Sequence, residues 1–154
     1  MNNIFICLIF FFINIHNAYS EGYIKADEGI EWDSDNQTYT AIGNVVFKNE
    51  KIQAKSNKMI ANYIEENQKE IFTVVEFFKD IVINFNEEIF KGNYAIYTKY
   101  NNTIKIDGNV TIESPSRLLK GDELIVDLDK NIRILNSHNK ESTVEVLIEN
   151  NADN

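Results

Sequence analysis

The chain has 154 residues, is 44% hydrophobic and carries a formal net charge of −9. That is enough chain to bury one core and too little for two. The acidic balance, without any cluster of Lys and Arg, excludes a nucleic-acid partner, because phosphate backbones are gripped by such clusters.

The first twenty residues differ in composition from the rest. "NIFICLIFFFINI" (Asn3 to Ile15) is an apolar run followed by the small residues Ala18 and Ser20. It reads as a signal peptide cleaved after Ser20, since the run is shorter than the roughly 17–25 residues that span a bilayer. A retained anchor is the alternative, because "MNN" brings no Lys or Arg ahead of it. Cys7 is the only cysteine and lies in this segment, so the remainder has no thiol, no disulfide framework and no cysteine-based metal site. Residues 21–149 are expected to form one domain and 150–154 a polar tail.

Strand signals fill that domain. "GYIKADEGIEW" (Gly22 to Trp32), "TYTAIGNVVF" (Thr38 to Phe47), "IVINF" (Ile81 to Phe85), "TIKIDGNVTI" (Thr103 to Ile112), "ELIVDL" (Glu123 to Leu128) and "STVEVLI" (Ser142 to Ile148) are rich in β-branched and aromatic residues at period two. Polar clusters such as "DSDNQ", "EENQK", "YNN" and "DKN" punctuate them, which predicts about ten short strands. The best helical alternative is Asn57 to Phe72, where Ile60, Tyr63, Ile64 and Ile71 share a face only loosely.

A hexad recurs along the chain as "KADEGI" (Lys25 to Ile30), "KSNKMI" (Lys55 to Ile60), "KGNYAI" (Lys91 to Ile96) and "KGDELI" (Lys120 to Ile125). "IGNVVF" (Ile42 to Phe47) and "DGNVTI" (Asp107 to Ile112) repeat at the offset that separates the second hexad from the fourth. A strand-only repeat of roughly 30 residues cannot bury its apolar face alone, so successive units must stack into one elongated sheet. The small residue of each hexad (Ala26, Ser56, Gly92, Gly121), like Gly43 and Gly108, belongs where a strand bends or another passes closely. The adjacent Asp or Asn is expected to bond local backbone there. The middle unit, Val74 to Phe85, lacks a Gly-Asn-Val, and the sequence leaves strand register across 57–85 open.

Alternation turns Val45, Phe47, Ile52, Ala54, Met59, Ala61, Tyr63, Ile81, Ile83, Phe85, Val110, Ile112, Leu124, Val126 and Leu128 inward. Two readings follow for this face. It is ordinary core if the sheet closes tightly, and the lining of an apolar channel if it gapes.

The order of "A-x-GNV" (Ala41 to Val45), "DGNV" (Asp107 to Val110) and "L-x-G-D-x-L-x-x-D" (Leu119 to Asp127), behind a signal-like segment, resembles the OstA-like family of periplasmic lipopolysaccharide-transport proteins. The resemblance covers nearly all of the chain after residue 20. It implies an all-β fold, an elongated antiparallel β-jellyroll curled like a taco, with an apolar interior open at both ends. It also implies a bridge that receives lipopolysaccharide from an inner-membrane jellyroll partner, docks head to tail with copies or relatives, and passes the lipid to an outer-membrane partner. On that reading Val45, Phe47, Ile52, Met59, Tyr63, Ile81, Ile83, Phe85, Val110, Ile112, Leu124 and Val126 line a channel for acyl chains. An inner-membrane-anchored relative of the same fold and a cargo-free β-repeat that polymerises end to end stay open as alternatives.

No cofactor, metal or catalytic residue is expected. The pairs Glu65–Glu66 and Glu87–Glu88 fall in predicted turns, where adjacent charges are solvated. His138 stands alone in "NSHNK", and Asp122, Asp127 and Asp129 lack the loop spacing of calcium motifs. The first and last strands contain no Pro, so both edges keep backbone groups available for strand addition.

Overall fold

The computed structural model describes residues 22–138 and 141–148. The expected signal segment, Glu149 and the tail lie outside the described residues. Ten strands form one antiparallel sheet: β1 (Gly22–Lys25), β2 (Gly29–Asp33), β3 (Thr38–Asn49), β4 (Gln53–Glu66), β5 (Lys69–Phe85), β6 (Glu88–Thr98), β7 (Thr103–Ser114), β8 (Arg117–Asp127), β9 (Ile132–Asn136) and β10 (Glu145–Ile148). From β3 to β8 each strand pairs with the next in sequence; β1 and β2 share the free side of β3, and β9 and β10 share the free side of β8.

The hairpins between them turn on residues that tolerate a left-handed backbone. Gln37, Asn67, Gln68, Asn86, Asn102 and Asn131 all have φ between 47° and 63°, the conformation that Asn adopts at least cost and that closes a tight connection. This accounts for the helical alternative over Asn57–Phe72, which is the β4–β5 hairpin. Met59, Ala61 and Tyr63 are buried at period two on β4, and Asn67–Gln68 interrupt any helical continuation. Ten strands are present, although those in the middle are longer than expected, reaching 17 residues in β5.

One irregularity crosses the whole sheet. In β3, Gly43–Asn44 have φ of 84° and 42°; in β7, Gly108–Asn109 have 83° and 50°. The register jumps there, with Ile42 opposite Lys58 but Val45 opposite Ser56, and Asp107 opposite Glu123 but Val110 opposite Gly121. Two residues therefore face one, Asn57 or Asp122, which is a β-bulge that bends and twists its strand. The middle unit has the same device without the motif: Lys79–Asp80 in β5 have φ of 62° and 49°, and Phe78 pairs with Tyr94 whereas Ile81 pairs with Gly92. The missing Gly-Asn is thus supplied by Lys-Asp.

The hexads are the strands opposite these bulges. Their small residue faces inward, two residues then face out, and burial resumes in the other phase: Ser56 then Met59 in β4, Gly92 then Ala95 in β6. A Cβ on Gly92 would come within 2.3 Å of Ile106 Cγ2, so no larger residue fits. The acidic or amide neighbour was expected to bond local backbone; instead it ties adjacent strands. Asn44 Nδ2 donates to Asp27 (2.9 Å) and Asn57 Nδ2 to Asp80 (2.7 Å), while Asp122 accepts from the His138 backbone N–H (2.9 Å). The expected single strand Gly22–Trp32 is broken at Ala26–Glu28 because it passes this same bend.

The row of bulges divides the sheet into two legs. One comprises β2, β9 and the segments 38–42, 58–66, 69–78, 94–98, 103–107 and 123–127. The other comprises β1, β10 and the segments 45–49, 53–56, 81–85, 88–92, 110–114 and 117–121. Their inner faces meet. Phe47 of one leg packs edge-on against Phe72 and Phe77 of the other, at centroid distances of 5.7 Å in both cases. A single apolar cluster from Ala41 to Leu128 fills the space between.

Gly108→Ala, which puts a Cβ at φ 83° and 3.0 Å from the Asn93 amide, is expected to lower unfolding free energy by about 1–2 kcal/mol. Lys79→Gly, at the equivalent bulge, is expected to leave stability unchanged or raised. Denaturant titration of both variants checks the pair.

Candidate functional site

All twelve residues expected to line a channel lie on the inner faces of the legs and are buried: Val45, Phe47, Ile52, Met59, Tyr63, Ile81, Ile83, Phe85, Val110, Ile112, Leu124 and Val126. They are covered by one another and by Ala41, Val75, Phe77, Phe90, Ala95, Tyr97, Ile104 and Ile106, a second set that the sequence reading did not place in the channel. Ile104 and Ile106 alternate with Lys105 and were accessible to the same period-two argument. Val75 and Phe77 keep the parity of Ile81, Ile83 and Phe85 across the Lys79–Asp80 bulge and were accessible to it as well, whereas Ala95 and Tyr97 follow the phase change at Asn93, which simple alternation does not carry through.

Along the side opposite the bend, the legs meet at their hairpin turns, and polar contacts cross from one to the other. The β3–β4 turn is set by Asn49 Oδ1, which accepts from the backbone N–H of Lys51 and Ile52 (2.9 Å each). That holds Lys51 Nζ 3.1 Å from Asp129 in the β8–β9 turn. Asn102 Nδ2 donates to the same carboxylate at 2.9 Å. The Asn102 amide first, then the Lys51 ammonium, keep Asp129 below the ordinary carboxylate value of 3.8. Its folded-state preference for the ionised form therefore stabilises the protein above that value and is lost as pH falls through the lowered folded pKa.

A second ion pair lies deeper. Arg133 on β9 and Glu88 on β6 both point inward, from opposite legs, with Nε 2.6 Å from Oε2 and side chains only 19% and 16% exposed. The guanidinium also stacks over Phe85, 5.6 Å from its centroid, and donates to the backbone O and Oδ1 of Asn131. Glu88 therefore departs from the expectation of a solvated turn pair, while Glu65, Glu66 and Glu87 are exposed.

Aromatic rings furnish the inner face toward β2. Trp32 stacks on Tyr39 (6.2 Å, 9°) and its indole donates to the Tyr63 hydroxyl at 2.8 Å. Tyr39 also packs on Tyr63 and Phe72 and donates to Glu70 at 2.7 Å. Burial first, and the Glu70 carboxylate next, push its hydroxyl up to about 12, so it stays a donor at any physiological pH.

The inner surface remains exposed at its two ends. Ile30 and Trp32 pair with Ala41 and Tyr39 and share their inward face, yet Trp32 is 60% exposed because β2 has no further neighbour. At the other edge Val146 pairs with Leu119, which packs on the core, and Ile148 lies two residues further along the same face and is 65% exposed. Among the described residues the inner face is thus apolar apart from the Arg133–Glu88 pair and is exposed at both ends.

The remaining polar candidates do not converge. Asp122 lies at the bend, whereas Asp127 ends β8 and Asp129 lies in the turn after it, where Asp127 accepts from the backbone of Asp129 and Lys130. His138 is half exposed, 3.8 Å from Asp107. Among the described residues no group of three His, Cys, Asp or Glu is placed to hold a metal ion.

Residues 23–132 match the family model described as the LptA/(LptD N-terminal domain) LPS transport protein. No curated protein sequence matches the chain. Among solved structures, the fold is similar to that of LptH, the LptA-homologous periplasmic component of the lipopolysaccharide transport device from Pseudomonas aeruginosa, with a TM-score of 0.70 at 14% identity over 85% of this chain and 96% of that one.

Glu88→Gln leaves Arg133 without its counter-charge in a largely apolar setting and is expected to cost about 1–2 kcal/mol. Arg133→Met combined with Glu88→Gln is expected to recover most of that loss, since Met covers Phe85 without a charge. Thermal or urea unfolding of the two variants and the parent protein checks it.

Proposed function

The chain belongs to the LptA/(LptD N-terminal domain) family of lipopolysaccharide-transport proteins, and on that premise we propose that it is a periplasmic bridge that carries lipopolysaccharide by its acyl chains from the inner to the outer membrane. The observation that supports this most is the continuous apolar inner face, which runs from Ile30 and Trp32 at one end of the roll to Val146 and Ile148 at the other and is left exposed at both. The twelve inward residues named above are its contacts with the lipid. Burying an acyl chain of about a dozen carbons there is worth on the order of 10 kcal/mol before ordering costs. With a net charge of −9, the protein grips chains and leaves phosphorylated head groups in solvent, where salt screens them. It performs no chemistry and takes no cofactor.

The exposed ends also supply the means of assembly. The edge of β1 and β2 differs in sequence from the edge of β9 and β10, so contact between them is head to tail and need not close on itself. Added strands would continue the ladder and join the inner faces of successive copies, or of inner- and outer-membrane jellyroll partners, into one apolar track.

Mass spectrometry of the protein purified from its own cells is expected to find bound glycolipid, and Ile112→Glu is expected to abolish that binding at a cost in stability, since it buries an unpaired charge. Absence of any glycolipid on the parent protein would leave the cargo-free polymer as the better reading. In sedimentation at rising concentration the parent is expected to self-associate, and Val146→Lys with Ile148→Lys to weaken this by about tenfold or more while the fold is kept. A parent that stays monomeric and binds no jellyroll partner counts against the bridge.

A further inference from the structure

Between the legs lies a hollow of about 130 Å³, on the seam between the turns: Asn49, Glu50 and Lys51 border it from one leg, Phe72, Tyr97, Lys99 and Asn102 from the other. Pockets that enclose even drug-sized ligands measure about 300–1,000 Å³. The inner side chains are fully buried against each other, so an acyl chain gains room only where the legs part. At the bend they cannot, because every strand from β3 to β8 runs through it and pairs with its neighbours on both sides. On the opposite side the polar contacts from leg to leg are made by side chains. Lys51–Asp129 is 42% and 52% exposed, and Arg133–Glu88 reaches between the inner faces at the end of the roll formed by β9.

We propose that these two ion pairs are a latch: they hold the roll shut around its own side chains, and lipopolysaccharide acyl chains are taken up sideways through the seam when the pairs separate and the legs hinge about the row of bulges. The two pairs differ in a way that suits this. The exposed pair contributes little and exchanges readily with water. The inner pair does not leave Arg133 stranded when it opens, because Asn131 on the same leg continues to accept from the guanidinium. Glu88 is left on the other leg, facing the gap. Opening therefore places a charged group of each leg at the margin of the apolar face rather than within it.

The inference rests on the carrier reading, and the experiment separates the two. The chain has no cysteine after Cys7, so Cys7→Ser combined with Lys51→Cys and Asp129→Cys gives a full-length protein whose only thiols face each other across the seam. Dibromobimane bridges them and becomes fluorescent only when both bonds have formed; capping with N-ethylmaleimide adds bulk without a bridge. Uptake of pyrene-labelled lipopolysaccharide is then followed. The capped protein is expected to load about two- to fivefold faster than the parent, matching the loss of one exposed ion pair, Glu88→Gln to load faster as well, and the bridged protein to load hardly at all. Equal uptake by bridged and capped protein overturns the latch and leaves the carrier standing. Failure of the parent and the capped protein to load any lipid overturns both.

Discussion

The structure depends on a backbone constraint: one extra residue in β3, β5 and β7, at the same level of every hairpin. A single bulge bends one strand pair. Bulges at Gly43–Asn44, Lys79–Asp80 and Gly108–Asn109, each facing one residue of the next strand, bend the sheet along a line and fold it onto itself. Inward residues on either side of the line belong to one surface that closes against itself, which is how a meander with, among the described residues, no second sheet and no helix acquires a core.

The same constraint explains the hexad. A strand that meets two residues with one must change the phase of its alternation, and the inward residue at the change must be small, because the neighbouring side chain crosses above it. Ile106 over Gly92 and Leu135 near Gly121 show this directly. The side-chain bridges Asn44–Asp27 and Asn57–Asp80 then pin neighbouring strands at their least regular point, where ladder hydrogen bonds are interrupted.

On the proposed carrier reading, a closed apolar roll would be a sensible resting form. Parting the legs would expose apolar surface and an acyl chain would cover it again, so loading would exchange one apolar contact for another of similar worth per unit area. The balance would then be set by lesser terms: the ion pairs on the open side, the ordering of the chain, and the polar head group left in water.

Fold class, number of strands, the positions of the turns and part of the inward face were legible in the sequence, because period-two alternation, Asn-rich turns and the repeated hexad are local consequences of chemistry that any strand obeys; Ala95 and Tyr97, beyond the phase change in β6, were not. The role of the hexad as a corner was legible for the same reason. What the sequence did not contain was the equivalence of Lys79–Asp80 to Gly-Asn, since a left-handed backbone on Lys is imposed by the strands on either side and not by the residue. Nor did it disclose that Trp32 stacks on Tyr39 and reaches Tyr63, or that Glu88 leaves its turn to meet Arg133. Those partners lie far apart in the chain and share no pattern. Whether the inner face is packed core or open channel was likewise undecided by alternation, which reports only the side a residue faces; the distance between the legs is a property of the folded sheet, and tertiary packing alone settled that they touch.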